Sequence, residues 1–374
     1  MRKSLVVWLL LSGLALADSV PIGRGQNPDL CRDGSGRLWL AYERDGDIWL
    51  RSSQDNGQSW TEEAAVCHSP ATSTQASLVV DSKGTPEVLW LEDGQVVFSR
   101  SADGRTFAPP TTVFAGRADS PDLAIDQDDG LHAVWVERSS ASPDVFYSYS
   151  NQQSLVWSQG LNLSKTPGVS SQPTVSAGAD ASVQVAWLDT TSGNQRPDVF
   201  ATERAPSGWS APRNVSRTAG RSQSPAILVS GSHQVYLAWM DNSRSSSVWD
   251  IYFSRSQNDG TFSAPIFFDT PAESTDPCLA SAESDRLAVA WVDSSQSGSN
   301  PDIFLVQSSD GGATFTVPQN ISQSPGPSGL PTMVWNQEQY VIVWQEQEAG
   351  QLVLKLARQS LPRKPKLPVG SGKY

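Results

Sequence analysis

Cysteine is scarce here, with three in 374 residues: Cys31, Cys67 and Cys278. An odd number at irregular spacing is not a disulfide framework, and no Cys-x-x-Cys pair exists to hold zinc. The thiols read as small buried apolar groups. If any pair is bridged, it is Cys31 with Cys67, which share one repeat. The three histidines, His68, His132 and His233, are scattered and form no metal pair. The sequence also lacks a Gly-x-Ser-x-Gly elbow, a phosphate loop, an EF-hand and a Gly/Asp nonapeptide. No cofactor is expected; Ca²⁺ is the one ion that clustered carboxylates would suit. The only long apolar run is Leu5 to Leu16, too short for a stop-transfer helix. It follows Met1-Arg2-Lys3 and precedes a small-x-small step, Ala15-Leu16-Ala17, which together read as a cleaved leader, residues 1–17. No membrane insertion is expected, and a secreted or periplasmic location is. Basic residues are in deficit, 27 against 39 acidic, for a net charge of −12. That balance disfavours nucleic acid and anionic membranes as partners.

What the chain does have is a repeat. A short polar step opens each of seven modules: Gln26-Asn27-Pro28, Thr74-Gln75-Ala76, Asp119-Ser120-Pro121, Ser171-Gln172-Pro173, Gln223-Ser224-Pro225, Thr275-Asp276-Pro277 and Gly329-Leu330-Pro331. The third positions, 28, 76, 121, 173, 225, 277 and 331, lie between 45 and 54 residues apart. Such a period with four short strands per unit predicts a β-propeller blade. Strand B of the unit is the strongest signal, as in Val183-Gln184-Val185-Ala186-Trp187 and Leu287-Ala288-Val289-Ala290-Trp291. Its Trp recurs as Trp90, Trp135, Trp239 and Trp344, with Tyr42 in the first blade. A blade cannot bury both faces alone, so these rings are expected between blades. The last module supplies only three strands. The segment from Ser19 to Gly23 is expected to complete it and close an all-β, seven-bladed ring over residues 18–359. Residues 360–374, basic and rich in Pro and Gly, read as a flexible tail.

Each module ends in a turn of the form Ser-x-Asp-x-Gly-x-Ser/Thr-aromatic. Full copies run from Ser53 to Trp60, with Asp55 and Gly57, and from Ser308 to Phe315, with Asp310 and Gly312; the copy with Asp103 is one residue short. This turn is the Asp box, and the modules resemble those of the sialidase and BNR-repeat propellers over essentially the whole mature chain. A short Asp can accept backbone N–H bonds within a tight turn, so the box reads as a hairpin clasp. The resemblance implies, for catalytic members, an arginine triad, a Tyr–Glu nucleophile pair and an Asp acid/base. No module opens with arginine here, and no tyrosine is expected beside a Glu at the mouth; Arg24, Arg196 and Arg244 remain as loop candidates for it.

Strand A starts and strand B ends on one face. Acidic residues follow the repeated Trp by two positions there: Glu92, Glu137, Asp189, Asp241, Asp293 and Glu346. Gln26, Asp119, Gln223 and Asp276 are therefore placed at the channel mouth, with Asp189, Asp241 and Asp293 further out. One reading is a polar binding funnel; the other is that each acid ties down its own B–C loop. The favoured function is a monomeric glycan- or protein-binding module at the cell envelope. The alternative is a sialidase-like glycoside hydrolase with a rearranged site, in which two mouth carboxylates do acid/base work.

Overall fold

The computed structural model describes residues 19–138, 142–151, 155–178, 182–192, 196–205, 207–282, 286–295 and 300–361. The segment read from sequence as a leader, residues 1–17, and most of the one read as a tail lie outside them. The described strands form seven antiparallel sheets, and no helix occurs among them. The strands are lettered A to D from the axis outward. The A strands run Gln26–Arg32, Ser73–Val80, Ala118–Ile125, Ser170–Ala177, Ser222–Val229, Ser274–Ala282 and Ser328–Asn336, and each contacts the A strands on either side. The seventh sheet is completed by Val20–Arg24, which pairs with Gln351–Ser360 in the register Val20 to Leu356 and Arg24 to Val353. Arg51 reaches across from the first blade and donates to the Ile22 carbonyl at 2.9 Å. The ring is a seven-bladed propeller closed by its first strand.

Burial follows from the strand B pattern. Trp90, Trp135, Trp187, Trp239, Trp291, Trp344 and Tyr42 are all essentially inaccessible. Among the described residues seven apolar clusters occur, one at each blade boundary, and each takes its large ring from one blade and its aliphatic bed from the blade before. Trp239, for example, lies against Ala186, Leu188, Val199, Ala201 and Val215 of the fourth blade. Tyr42 does the same at the closing seam against Val341, Val343, Leu354 and Leu356.

The three thiols are free. Cys31 sits on the innermost strand and Cys67 just beyond the outermost one, Ala64–Ala65. Three inter-strand spacings of about 4.8 Å separate those edges, well beyond the roughly 7 Å limit for bridged Cα atoms. Both pack into the core between the first two blades instead.

Two clasps recur. In the Asp box, Asp55 accepts from Ser53 Oγ (2.8 Å), Ser59 N (2.8 Å) and Ser59 Oγ (2.6 Å). These bonds, that from Ser59 Oγ first, hold its carboxyl down at about 2. Asp310 repeats the pattern with Ser308 and Thr314. Asp103 accepts from the N–H groups of Thr106 and Arg105 and is also lowered to about 2. Gly57 and Gly312 have positive φ, 83° and 76°, and a Cβ on either would fall 2.6 Å from Leu356 or 2.7 Å from Phe253, on the preceding blade. Trp60 packs at the closing seam, and Phe315 sits edge-on to Phe253 and Phe268, centroids 5.0 Å apart in each case. The box thus fastens its own hairpin and docks it on the neighbour. The second clasp joins strand D to the start of strand C. Asn162, Asn214 and Asn320 donate to Asp144, Asp198 and Asp302, while Ser164, Ser216 and Ser322 accept from the next backbone N–H. The three Asn-x-Ser sequences are parts of this latch.

Candidate functional site: the channel mouth

Each A strand slips in register against its B strand just after its start, between Gln26 and Asp29 in the first blade and at the equivalent step in the other six. The residue in the slip has a left-handed backbone every time: Asn27 (48°), Gln75 (55°), Ser120 (49°), Gln172 (49°), Ser224 (46°), Asp276 (50°) and Leu330 (48°). Proline follows in six blades and Ala76 in the second. Proline has no N–H to give the ladder and is tolerated in a strand at such a bulge.

The bulges frame the mouth. A cavity of about 590 Å³ is bounded by the side chains of Asn27, Gln75, Ser224, Asp276 and Leu330, over a ring of prolines, with Asp29, Ser77, Asp122 and Thr332 deeper. Among the described residues lining it there is no arginine, lysine or aromatic ring. The freed N–H of a bulge is taken by a side chain from the blade before. Asn27 N donates to Gln345 (2.9 Å), Gln75 N to Glu43 (2.6 Å), Ser120 N to Gln75 (2.8 Å) and Ser224 N to Gln172 (2.9 Å).

One layer down, hydrogen bonds stitch blade to blade. Thr332 Oγ1 accepts from Leu30 N (3.2 Å), Asp29 from Leu78 N (2.7 Å), Ser77 Oγ from Leu123 N (3.1 Å) and Asp122 from Val175 N (2.8 Å). Asp29 is enclosed by protein on most sides. Burial pushes its carboxyl up to about 7, Leu78 N–H opposes this, and the neighbouring Asp122 adds to it. Burial raises Asp122 as well.

The residues singled out from sequence are divided by this geometry. Asp276 lines the cavity and accepts from Ser224 Oγ at 3.4 Å. Gln26, Asp119 and Gln223 stand one residue before their bulges and pair with strand B, opposite Glu43, Val136 and Met240. Gln26 donates to Glu43 (3.3 Å), and Asp119 is held by Arg138 Nε (2.8 Å). Asp189, Asp241 and Asp293 are fully buried. Asp189 accepts from Thr166, Ser170 and Thr191 N, and Asp241 and Asp293 repeat the arrangement, so each ties its own B–C loop. Asn27, Gln75 and Ser224 were missed. Their signal was their place directly before the third position of each module, the place Asp276 also holds.

The sialidase constellation is absent from the mouth as described. Arg24 lies on the outermost strand of the seventh blade, Arg196 donates to the Ala219 carbonyl (2.7 Å), and Arg244 is paired with Asp250 (3.1 Å) and Asp269 (2.9 Å). A tyrosine does stand beside a glutamate, away from the mouth, in the wall at the closing seam. Tyr42 OH and Arg44 Nη1 both donate to Glu63 Oε1 at 2.7 Å. Arg44 chiefly lowers Glu63, while burial and then Glu63 raise the phenol. No group of three His, Cys, Asp or Glu side chains forms a metal-holding cluster among the described residues.

No protein-family model matches the sequence, and no curated protein matches it. Solved structures do match in shape. An ulvan lyase of polysaccharide lyase family PL25, bound to -[GlcA(1-4)Rha3S]-, superimposes with a TM-score of 0.66 at 10% identity, over 92% of this chain and 97% of that one. The polysaccharide lyase Uly1 gives 0.59 at 11% identity over 91% and 90%. The intramolecular trans-sialidase from Ruminococcus gnavus gives 0.50 at 10% over 93% and 99%. At such identities the likeness is one of fold alone, that of a seven-bladed β-propeller.

Proposed function

We propose that this protein is an exported, non-catalytic propeller that binds a neutral saccharide at its channel mouth. The observation that carries the reading is the ring of bulged residues, which turns amide, hydroxyl and carboxylate groups into one cavity while keeping guanidinium groups out of it. Such groups suit sugar hydroxyls; a carboxylate ligand would want a bidentate arginine. The neighbours in fold are named for polysaccharide and sialoside chemistry. The leader accounts for export, and the acidic chain is read as a soluble monomer that avoids nucleic acid. A glycan array probed with the mature chain tests the function. Retention of a neutral oligosaccharide, weakened at least about fivefold by Asp276→Ala, is expected; an array with no neutral hit refutes it.

A glycoside hydrolase is the second reading, favoured by one feature. Asp29 and Asp122 share the channel, and their raised carboxyls would let one act as acid while the other stays ionised. Turnover of a fluorogenic glycoside, abolished by Asp29→Asn, would establish it over the binding reading.

A further inference from the structure

The opposite end of the channel, on the face of the Asp boxes, has different chemistry. A cavity of about 960 Å³ opens there between the A–B turns of blades five, six, seven and one. Arg32 ends the first A strand and Arg286 begins the sixth B strand, and both line it. Neither guanidinium has an ion-pair or hydrogen-bond partner among the described residues, in a chain whose net charge is −12. Between them stands Trp335, on the seventh blade. Its ring is edge-on to Tyr340, centroids 4.8 Å apart, and it remains only partly buried. The Tyr340 hydroxyl is buried with no hydrogen-bond partner among the described residues, and it feels the Arg286 charge.

The turn beside Trp335 is strained. Asn336 pairs with Gln339, so Gln337 and Glu338 form a two-residue hairpin loop. Both have positive φ, 46° and 65°. Such loops ordinarily carry Asn-Gly or Asp-Gly. Two long polar side chains held there against their preference, at the rim of a cavity, point to function. Glu338 is the only acid among the described lining residues; residues 283–285 lie outside the described residues.

We propose that this cavity is a second saccharide site, specific for an acidic sugar. Arg32 and Arg286 take the anionic group, the Trp335 indole offers a stacking surface for the ring, and Ser281 and Gln337 meet its hydroxyls. Guanidinium forks match carboxylate and sulfate oxygens, and both groups occur on acidic sugars. The site lies at the other end of the channel from the mouth and stands independently of the function proposed for it.

The test is calorimetric titration of the full mature chain with three oligosaccharides of equal length: a glucuronate oligomer, a sulfated galactose oligomer and a neutral glucose oligomer. At least one acidic oligomer should bind, more weakly as salt rises. Whichever of the two binds more tightly identifies the anionic group. Arg32→Gln and Arg286→Gln should each weaken binding about tenfold, and the double variant should abolish it. Arg24→Gln, an exposed arginine on the outermost strand of the seventh blade, should leave it unchanged. Thermal melts of each variant confirm that the fold persists. Binding of the neutral oligomer that the double variant abolishes equally, no binding of either acidic one, or a folded double variant that binds the acidic ones as before would each overturn the proposal. A failed neutral-glycan array leaves these outcomes unaffected.

Discussion

Replacing Trp239 with alanine opens a hole between the fourth and fifth blades. The indole is wholly inaccessible and lies on Ala186, Leu188, Val199, Ala201 and Val215, with the Tyr252 ring tilted beside it, centroids 6.1 Å apart. A buried Trp hides about 150–250 Å². At ~25 cal/mol/Å² its transfer contributes roughly 4–6 kcal/mol, an upper bound because the unfolded chain is not fully extended. The expected loss is about 3–5 kcal/mol. A propeller of this length gains roughly 0.7 kcal/mol/K of unfolding entropy at about 2.1 cal/mol/K per residue, so the melting temperature should fall about 4–7 °C. The indole nitrogen sharpens the test. Trp239 Nε1 has no partner among the described residues, whereas Trp187 Nε1 donates to Asp189 at 3.3 Å. Phenylalanine at 239 removes an unsatisfied donor, and at 187 it removes a made bond, so Trp187→Phe should cost about 1 kcal/mol more. Calorimetric melts of the three variants measure both effects. A fall under about 1 °C for Trp239→Ala would show that the rings do not hold the blades together.

Gly312→Ala should destabilise by about 1–3 kcal/mol, because the position needs positive φ and the new methyl meets Phe253 at 2.7 Å; urea unfolding reads this, and an unchanged midpoint would contradict the docking role of the box. Asp29 gives a pH signature. Its folded carboxyl, at about 7, keeps a proton that the unfolded chain has lost above about 4. Its share of stability therefore falls as pH rises from about 4 to 7 and levels off above. Asp29→Asn should remove that slope in melts between pH 4 and 8, and an unaltered slope would mean that Asp29 ionises normally.

The architecture was legible because a propeller repeats its physics. Seven copies of Val-x-Val-Ala-Trp and its variants announce the inter-blade ring, and the Asp box announces its turn through the residues it needs. The site was less legible. Gln26, Asp119 and Gln223 were placed at the mouth as polar residues opening their modules; the bulge before each proline brings the residue after each of them into the left-handed region. A one-residue slip exchanges the two faces of a strand. The acids after each Trp were legible as a pattern and ambiguous as chemistry. Only the partners of Asp189, Asp241 and Asp293 show that they serve their loops. Arg32, Arg286 and Trp335 carry no repeated signature, since they come from different strands of three blades and meet only because the ring is closed.

That closure also sets an order of events. The segment Val20–Arg24 has its hydrogen-bonding edge on Gln351–Ser360, nearly a full chain length away. Until the final hairpin exists, the first strand has nothing to zip onto, and the Tyr42 seam stays wet. Six inter-blade faces can form progressively from neighbours in sequence, whereas the seventh requires the longest loop in the molecule to shut. Unfolding should begin by that same route, with the leading strand peeling away before any blade is lost.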